Sequence, residues 1–173
     1  NVSSDELLKL PRTPTVLVLA CCLGSETVSR VVRGALPRLA GPCVVFHPTG
    51  ARDYASLGQF PGYHPVAFVR DELPDLMTAA ALVVARAGAN TLAELAACGT
   101  PALLLPLELS GSRGDQIRNA AYFASKGAAR VFEGREPQDL ANDVTGLLAE
   151  AQGRAAMAEA MGSLAAPEAG ARI

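Results

Sequence analysis

Residues 81–105, ALVVARAGANTLAELAACGTPALLL, read as strand, turn, helix, stop and strand in unbroken succession. Ala81 to Ala85 is a short apolar run of the kind a strand covered on both faces requires, and it ends at Arg86. Small residues follow, then the helix Thr91 to Cys98. Gly99 closes that helix and Pro101 precedes the strand Ala102 to Leu105, a glycine-then-proline stop.

The same alternation extends outward in both directions. Upstream, Thr15 to Ala20 is a β-branched, apolar run after Pro11 and Pro14. The turn Cys21 to Glu26 leads into a helix from Thr27 to Leu39, with Val28, Val31, Val32, Ala35, Leu36 and Leu39 at helical spacing. Cys43 to His47 reads as a strand, a Gly- and Pro-rich loop continues through Gly62, and Val66 to Val69 reads as a short strand. Asp71 to Ala80 is a helix with Leu73, Leu76 and Met77 on one face. Downstream, a loop from Leu107 to Gly114 precedes a helix from Asp115 to about Lys126 and a strand from Ala129 to Phe132. Two Ala-rich helices follow, Pro137 to Ala151 and Arg154 to Leu164. Strands alternating with helices predict the α/β class: one Rossmann-like, doubly wound parallel sheet of about six strands with helices on both faces. Ligands of such sheets bind at the carboxyl ends of the strands, so the loops after strands are the places to look.

Composition narrows the ligand. The chain has 173 residues and is 50% hydrophobic, enough for one well-buried core. With 15 Lys and Arg against 17 Asp and Glu, a net charge of -2, 5% aromatics and no Trp, it has neither the positive charge nor the stacking surfaces of a nucleic-acid binder. A small ligand is expected. Cys21, Cys22, Cys43 and Cys98 form no C-x-x-C, and His47 and His64 lie far from any zinc spacing, so neither a metal site nor a disulfide framework is expected. No apolar stretch reaches membrane-spanning length, and Asn1 to Lys9 lacks the basic and apolar regions of a signal peptide. A cytoplasmic domain is expected. Asn1 is not a methionine, and the reading favours a segment of a longer gene product.

Three loops are candidates for chemistry. In Arg86 to Glu94, Gly88, Ala89, Asn90 and Thr91 lead from a strand end into a helix, whose free N–H groups and dipole suit a phosphate. Glu94 in that helix is placed to accept hydrogen bonds from ribose hydroxyls; equally, Thr91-x-x-Glu94 is a capping box serving only its own helix. Arg86 reads as a phosphate contact or as a structural ion-pair partner. In the second loop, Gly111 to Ala120, Asp115, Gln116 and Asn119 offer the acceptors and paired donors that sugar hydroxyls need, while Ser112-x-x-Asp115 also reads as a plain cap. The third loop is the turn Cys21 to Glu26, where Gly24 permits close backbone approach. It matches neither a dinucleotide nor a P-loop pattern. His47 and His64 read as structural.

Phe68-Val69-Arg70-Asp71, Arg86 to Leu95, Gly99-Thr100-Pro101-Ala102, Pro106 and Asp115-Gln116-x-x-Asn119-Ala120, in this order, resemble the C-terminal half of MurG-type N-acetylglucosaminyltransferases, two-domain GT-B enzymes of glycosyltransferase family 28. The resemblance is most specific from about Thr15 to Lys126. It implies the donor-binding half of an inverting transferase that moves GlcNAc from UDP-GlcNAc to lipid-linked muramyl-pentapeptide in peptidoglycan synthesis. It further implies that Glu94 binds the ribose hydroxyls, that the backbone at Val69 recognises uracil, and that Gly88 to Thr91 hold the diphosphate. Asp115 and Gln116 would contact the sugar, Asn119 would support the helix start, and Gly24 would approach the phosphates.

On this resemblance residues 1–14 are a linker from an N-terminal acceptor domain, 15–165 the nucleotide-sugar-binding domain and 166–173 a tail. The implied partners are a UDP-sugar donor and that acceptor domain or a partner subunit, through which alone the protein would meet the inner face of a membrane. No cofactor or obligatory metal is implied, and the catalytic base would come from the acceptor half. The sequence departs from the family in the first turn, where Ala20, Cys21 and Cys22 replace two glycines and a serine, and in the composition of the Leu107 to Gly114 loop. Alternatives at this stage are a natural donor-binding subunit of a two-chain transferase, half of a UDP-sugar epimerase, and a non-catalytic nucleotide-sugar-binding domain.

Overall fold

The computed structural model describes residues 13–19, 25–54, 60–106 and 114–165. In chain order its elements are β1 (Thr15–Leu19), α1 (Ser25–Leu39), β2 (Val44–Pro48), α2 (Ala51–Tyr54), β3 (Tyr63–Val66), α3 (Leu73–Ala79) and β4 (Leu82–Ala85). They continue with α4 (Ala89–Cys98), β5 (Ala102–Leu104), α5 (Asp115–Ser125), β6 (Ala129–Val131), α6 (Pro137–Ala149) and α7 (Ala151–Ser163). The six strands form one sheet in the order β3-β2-β1-β4-β5-β6, and every neighbouring pair is parallel. The chain starts in the middle of the sheet, winds outward to β3, returns to β4 beside β1 and winds outward again to β6. The order therefore reverses between β1 and β4, and a crevice opens there at the carboxyl ends.

Both faces of the central strands are buried because successive side chains point to opposite sides. Val16, Val18, Leu82 and Val84 face a layer built from α1 and α6, with Val28, Val32, Leu36, Leu140, Val144 and Leu147 packed against them. Leu17, Val83, Ala85 and Leu104 face the other way, toward Leu76, Met77, Leu92, Leu95, Ala120 and Met161 of α3, α4, α5 and α7. The two cores explain why the valine and leucine runs show no alternation of apolar and polar residues.

Three boundaries differ from expectation. The third strand is Tyr63–Val66, not Val66 to Val69. Its register places Tyr63 opposite Val45 and Val66 opposite Pro48, and the backbone bond from Val45 N–H to the Gly62 carbonyl, 2.7 Å, anchors it. Pro65 is tolerated because β3 is an edge strand. Buried Tyr63 also approaches buried His47, with the phenol oxygen 3.0 Å from Nδ1. A one-turn helix, α2, occupies part of the stretch expected to be loop. Finally, α1 and α4 each begin two residues earlier than expected, and α3 two residues later.

Candidate functional site

The loop after β4 stands at the reversal of strand order. Arg86 is 7% exposed and Ala87 fully buried, while Gly88 is extended, with φ -72° and ψ 143°, and turns the chain into α4. Gly88 is the N-cap, so the helix opens at Ala89, with Asn90 and Thr91 as its second and third residues. The first bond across this turn is Leu92 N–H to the Gly88 carbonyl, 2.9 Å. The N–H groups of Ala89, Asn90 and Thr91 precede it and have no intrahelical acceptor. No acidic side chain stands in that first turn, and a Cβ built on Gly88 would meet nothing nearer than Thr91 Oγ1 at 4.0 Å. The helix start is open and electropositive, a geometry suited to an anion.

This start corrects the capping-box reading. Thr91 cannot cap a helix in which it is already the third residue, and Glu94, the sixth, lies in the second turn rather than the first. The Thr-x-x-Glu spacing misplaced the boundary because Ala89 is a strong helix former and Gly88 already supplies the turn away from the strand. Glu94 is exposed. It lies on the helix face opposite buried Leu92, Leu95 and Ala96, one turn beyond exposed Asn90. Its Cα stands about 7 Å along the axis from the helix start, and its side chain inclines back toward that start. A carboxylate so placed can meet a group just beyond an anion bound at the start.

The next strand outward, β5, leads toward the start of α5. Gly114, in the left-handed region at φ 78°, is its N-cap, so Asp115 is the first helical residue and not a capping partner three residues after Ser112. That correction has the same cause, because the left-handed turn at Gly114 sets the boundary. The Asp115 carboxylate accepts a hydrogen bond from Arg118 within the first turn, and both side chains are largely exposed. Two side chains then join α5 to the loop after β4. Asn119 Nδ2 donates to the Ala87 carbonyl at 3.1 Å, and Arg86 Nε donates to Gln116 Oε1 at 3.4 Å. The turn that opens α4 and the first turns of α5 are thereby one assembly.

Val69 occupies the connection from edge strand β3 to α3, which packs against α4 and returns the chain toward the centre of the sheet. Val69 is half-buried against the core layer beside Val66 and Leu73, whereas its neighbour Phe68 is 66% exposed. The exit of α4 is fixed as well. Gly99 adopts φ 62°, and the buried Thr100 hydroxyl donates to the Met77 carbonyl of α3 at 2.9 Å.

Gly24 and the substituted turn residues Ala20, Cys21 and Cys22 lie outside the described residues, as do residues 107–113. The buried Cys43 thiol is pushed up to about 11 by burial, and Cys98 is half-buried near the Pro74 carbonyl. Among the described residues no three His, Cys, Asp or Glu side chains are grouped to hold a metal ion, and no helix is long and apolar enough to cross a membrane. The Arg86–Gln116 and Asn119–Ala87 bonds were not foreseeable as pairs. Only the adjacency of β4 and β5 brings those positions together.

The family model described as glycosyltransferase family 28 C-terminal domain matches residues 15–173. Among curated proteins, the chain is 39% identical over 127 residues to the UDP-N-acetylglucosamine--N-acetylmuramyl-(pentapeptide) pyrophosphoryl-undecaprenol N-acetylglucosamine transferase of Clostridium botulinum, covering 73% of this chain and 36% of that protein. It is 40% identical over 121 residues to the transferase of the same name from Geobacillus thermodenitrificans, covering 69% of this chain and 34% of that protein. The chain thus spans about a third of the length of the curated relatives it matches. Among solved structures, Acinetobacter baumannii MurG superposes with a TM-score of 0.77 at 26% identity, over 95% of this chain and 49% of that one. The glycosyltransferase VinC in complex with dTDP gives 0.70 at 27% identity, over 92% of this chain and 39% of that one.

Proposed function

The chain belongs to the glycosyltransferase family 28 C-terminal domains, and from that premise we propose that it is the UDP-GlcNAc-binding half of an inverting N-acetylglucosaminyltransferase of peptidoglycan synthesis. The observation that carries this reading is the open start of α4 at the reversal of strand order, joined through Ala87 and Arg86 to the polar start of α5. The N–H groups of Ala89, Asn90 and Thr91 receive the diphosphate. Glu94, one turn further along the exposed face, accepts hydrogen bonds from the ribose hydroxyls. The backbone at Val69 reads uracil, Asp115 and Gln116 meet the sugar, and Gly24 approaches the phosphates from the first turn.

The mechanism follows from where charge develops. As the glycosidic bond breaks, negative charge accumulates on the departing UDP, and fixed N–H dipoles aimed at it lower the barrier without reorganising. On this reading no metal is required. Nothing in the described site supplies a base for an acceptor hydroxyl, so the base, the lipid-linked acceptor and any contact with the inner face of a membrane belong to an N-terminal half or partner subunit. The chain alone binds donor and does not turn it over.

Calorimetric titration of the chain with UDP-GlcNAc, UDP-glucose and UDP, beside Glu94→Ala, tests the reading. UDP-GlcNAc is expected to bind, and the variant to bind on the order of tenfold or more weakly, since charge-assisted hydrogen bonds to ribose are lost. Absence of binding to every UDP ligand would refute the donor-site reading, and a variant that binds as the wild type does would remove Glu94 from it.

A further inference from the structure

We infer that Arg86 is a positioning residue for the donor sugar: it holds the carboxamide of Gln116 in the orientation that recognises the sugar, and it does not act on the diphosphate. The inference rests on the donor-site reading above. Three observations carry it. Arg86 is 7% exposed at the end of β4, so its guanidinium is committed to protein surroundings. Its Nε donates to Gln116 Oε1 at 3.4 Å. The same two segments are joined a turn later by Asn119 Nδ2 to the Ala87 carbonyl, 3.1 Å, which holds α5 at a constant distance from the loop.

The chemistry of the pair removes an ambiguity that an amide otherwise leaves open. A guanidinium has N–H donors and no acceptor. The Gln116 group facing Arg86 must therefore be its carbonyl oxygen, and the –NH2 is turned to the opposite side of the side chain. Gln116 consequently addresses the sugar as a donor, toward a hydroxyl or acetamido oxygen, while the neighbouring Asp115 carboxylate can only accept. The two positions have complementary roles, and Arg86 sets one of them. Without Arg86 the amide is free to rotate by half a turn and present either group.

The test compares UDP-GlcNAc with UDP, because a sugar contact acts on the first ligand alone and a phosphate contact on both. Arg86→Lys keeps the charge and most of the stem but removes the Nε–H. It is expected to weaken UDP-GlcNAc binding on the order of tenfold and to leave UDP within about twofold, with an unchanged melting temperature as the folding control. In a Gln116→Ala background Arg86→Lys should cost nothing further for UDP-GlcNAc, because the two residues act as one unit. Gln116→Ala lies on a half-buried helix start and provides the same ligand comparison if Arg86→Lys fails to fold: it must weaken UDP-GlcNAc and spare UDP. Equal weakening of both ligands, unchanged UDP-GlcNAc binding, or additive losses in the double variant each overturn the inference while the donor site stands. Wild-type chain that binds neither ligand overturns the donor-site reading, and this inference with it.

Discussion

Gly34 of α1 faces Pro137, the first residue of α6, and a Cβ added there would lie 2.5 Å from Pro137 Cγ and 2.8 Å from its Cβ. Carbon atoms rest at about 3.5–4.0 Å, so Gly34→Ala forces the two helices apart by about 1 Å. Neither partner can yield by rotating a side chain, since one is a methyl and the other a closed ring. Overpacking of this kind costs about 1–3 kcal/mol, and replacing glycine by alanine inside a helix returns about 0.5–1 kcal/mol. The net expectation is a loss of about 1 kcal/mol, a fall of about 2–4 °C in Tm for a domain of this size. Gly146, inside α6, has nothing within 4 Å of its would-be Cβ, so Gly146→Ala should gain about 0.5–1 kcal/mol by propensity alone. Thermal and urea unfolding followed by circular dichroism would then report opposite signs for the same substitution in two packed helices. A Pro137→Gly background, which removes both opposing carbons, should abolish most of the Gly34→Ala penalty. If Gly34→Ala stabilises as much as Gly146→Ala does, the close approach of α1 and α6 is wrong.

Two other expectations follow from buried groups. Asn119→Asp replaces a donor by an acceptor beside the Ala87 carbonyl; it should cost about 1–3 kcal/mol of stability and weaken UDP binding, and a variant as stable as the wild type would show that the bond contributes little. The Cys43 thiol is raised from 9.0 to about 11 by burial, and the Tyr63 phenol from 10.0 to about 12 by burial against a smaller opposing effect of Arg33. Both groups are neutral in the fold, and the unfolded chain loses their protons first. Their contribution is therefore complete below pH 9 and is lost as pH rises toward 12, by about 2–3 kcal/mol for each. Urea midpoints measured from pH 8 to 10.5 should fall, and Cys43→Ala should flatten the early part of that fall; a midpoint independent of pH in both proteins would contradict the expectation.

The sequence was readable where one physical signal dominated. Runs such as Leu82 to Ala85 and Ala102 to Leu104 are apolar on both faces because helices cover both, and bounded by Gly and Pro they could hardly be anything but central strands. At the sheet edge the signal divides. Val66 to Val69 has the better strand composition, yet pairing with β2 and the Tyr63 contact with His47 select the preceding four residues, Pro65 included. The Gly-rich turn and helix after β4 were legible as an anion site from local chemistry alone. The helix boundary was not, because Thr91-x-x-Glu94 imitates a cap that Gly88 had already made unnecessary. What joins Arg86 to Gln116 and Asn119 to Ala87 was out of reach, since local periodicity identifies strands without ordering them.

The conformation of Gly88 sets stability against function at a single position. The helix after β6 closes its own start, with Glu136 and Asp139 exchanging hydrogen bonds with backbone N–H groups, while α4 begins on a residue that has no side chain to offer. Gly88 is extended, as an N-cap requires, with open space at its Cβ, so a serine would fit without strain and stabilise the unliganded fold by a few tenths of a kcal/mol, by roughly the usual margin over glycine. Its hydroxyl would then compete with the diphosphate for the same N–H groups. By linkage, a ligand at about 100 times its Kd adds about 2.7 kcal/mol, far more than the serine. The glycine thus makes the fold's stability conditional on its substrate, and selection for a more thermostable free chain should lead to Gly88 replacements that bind the donor less well.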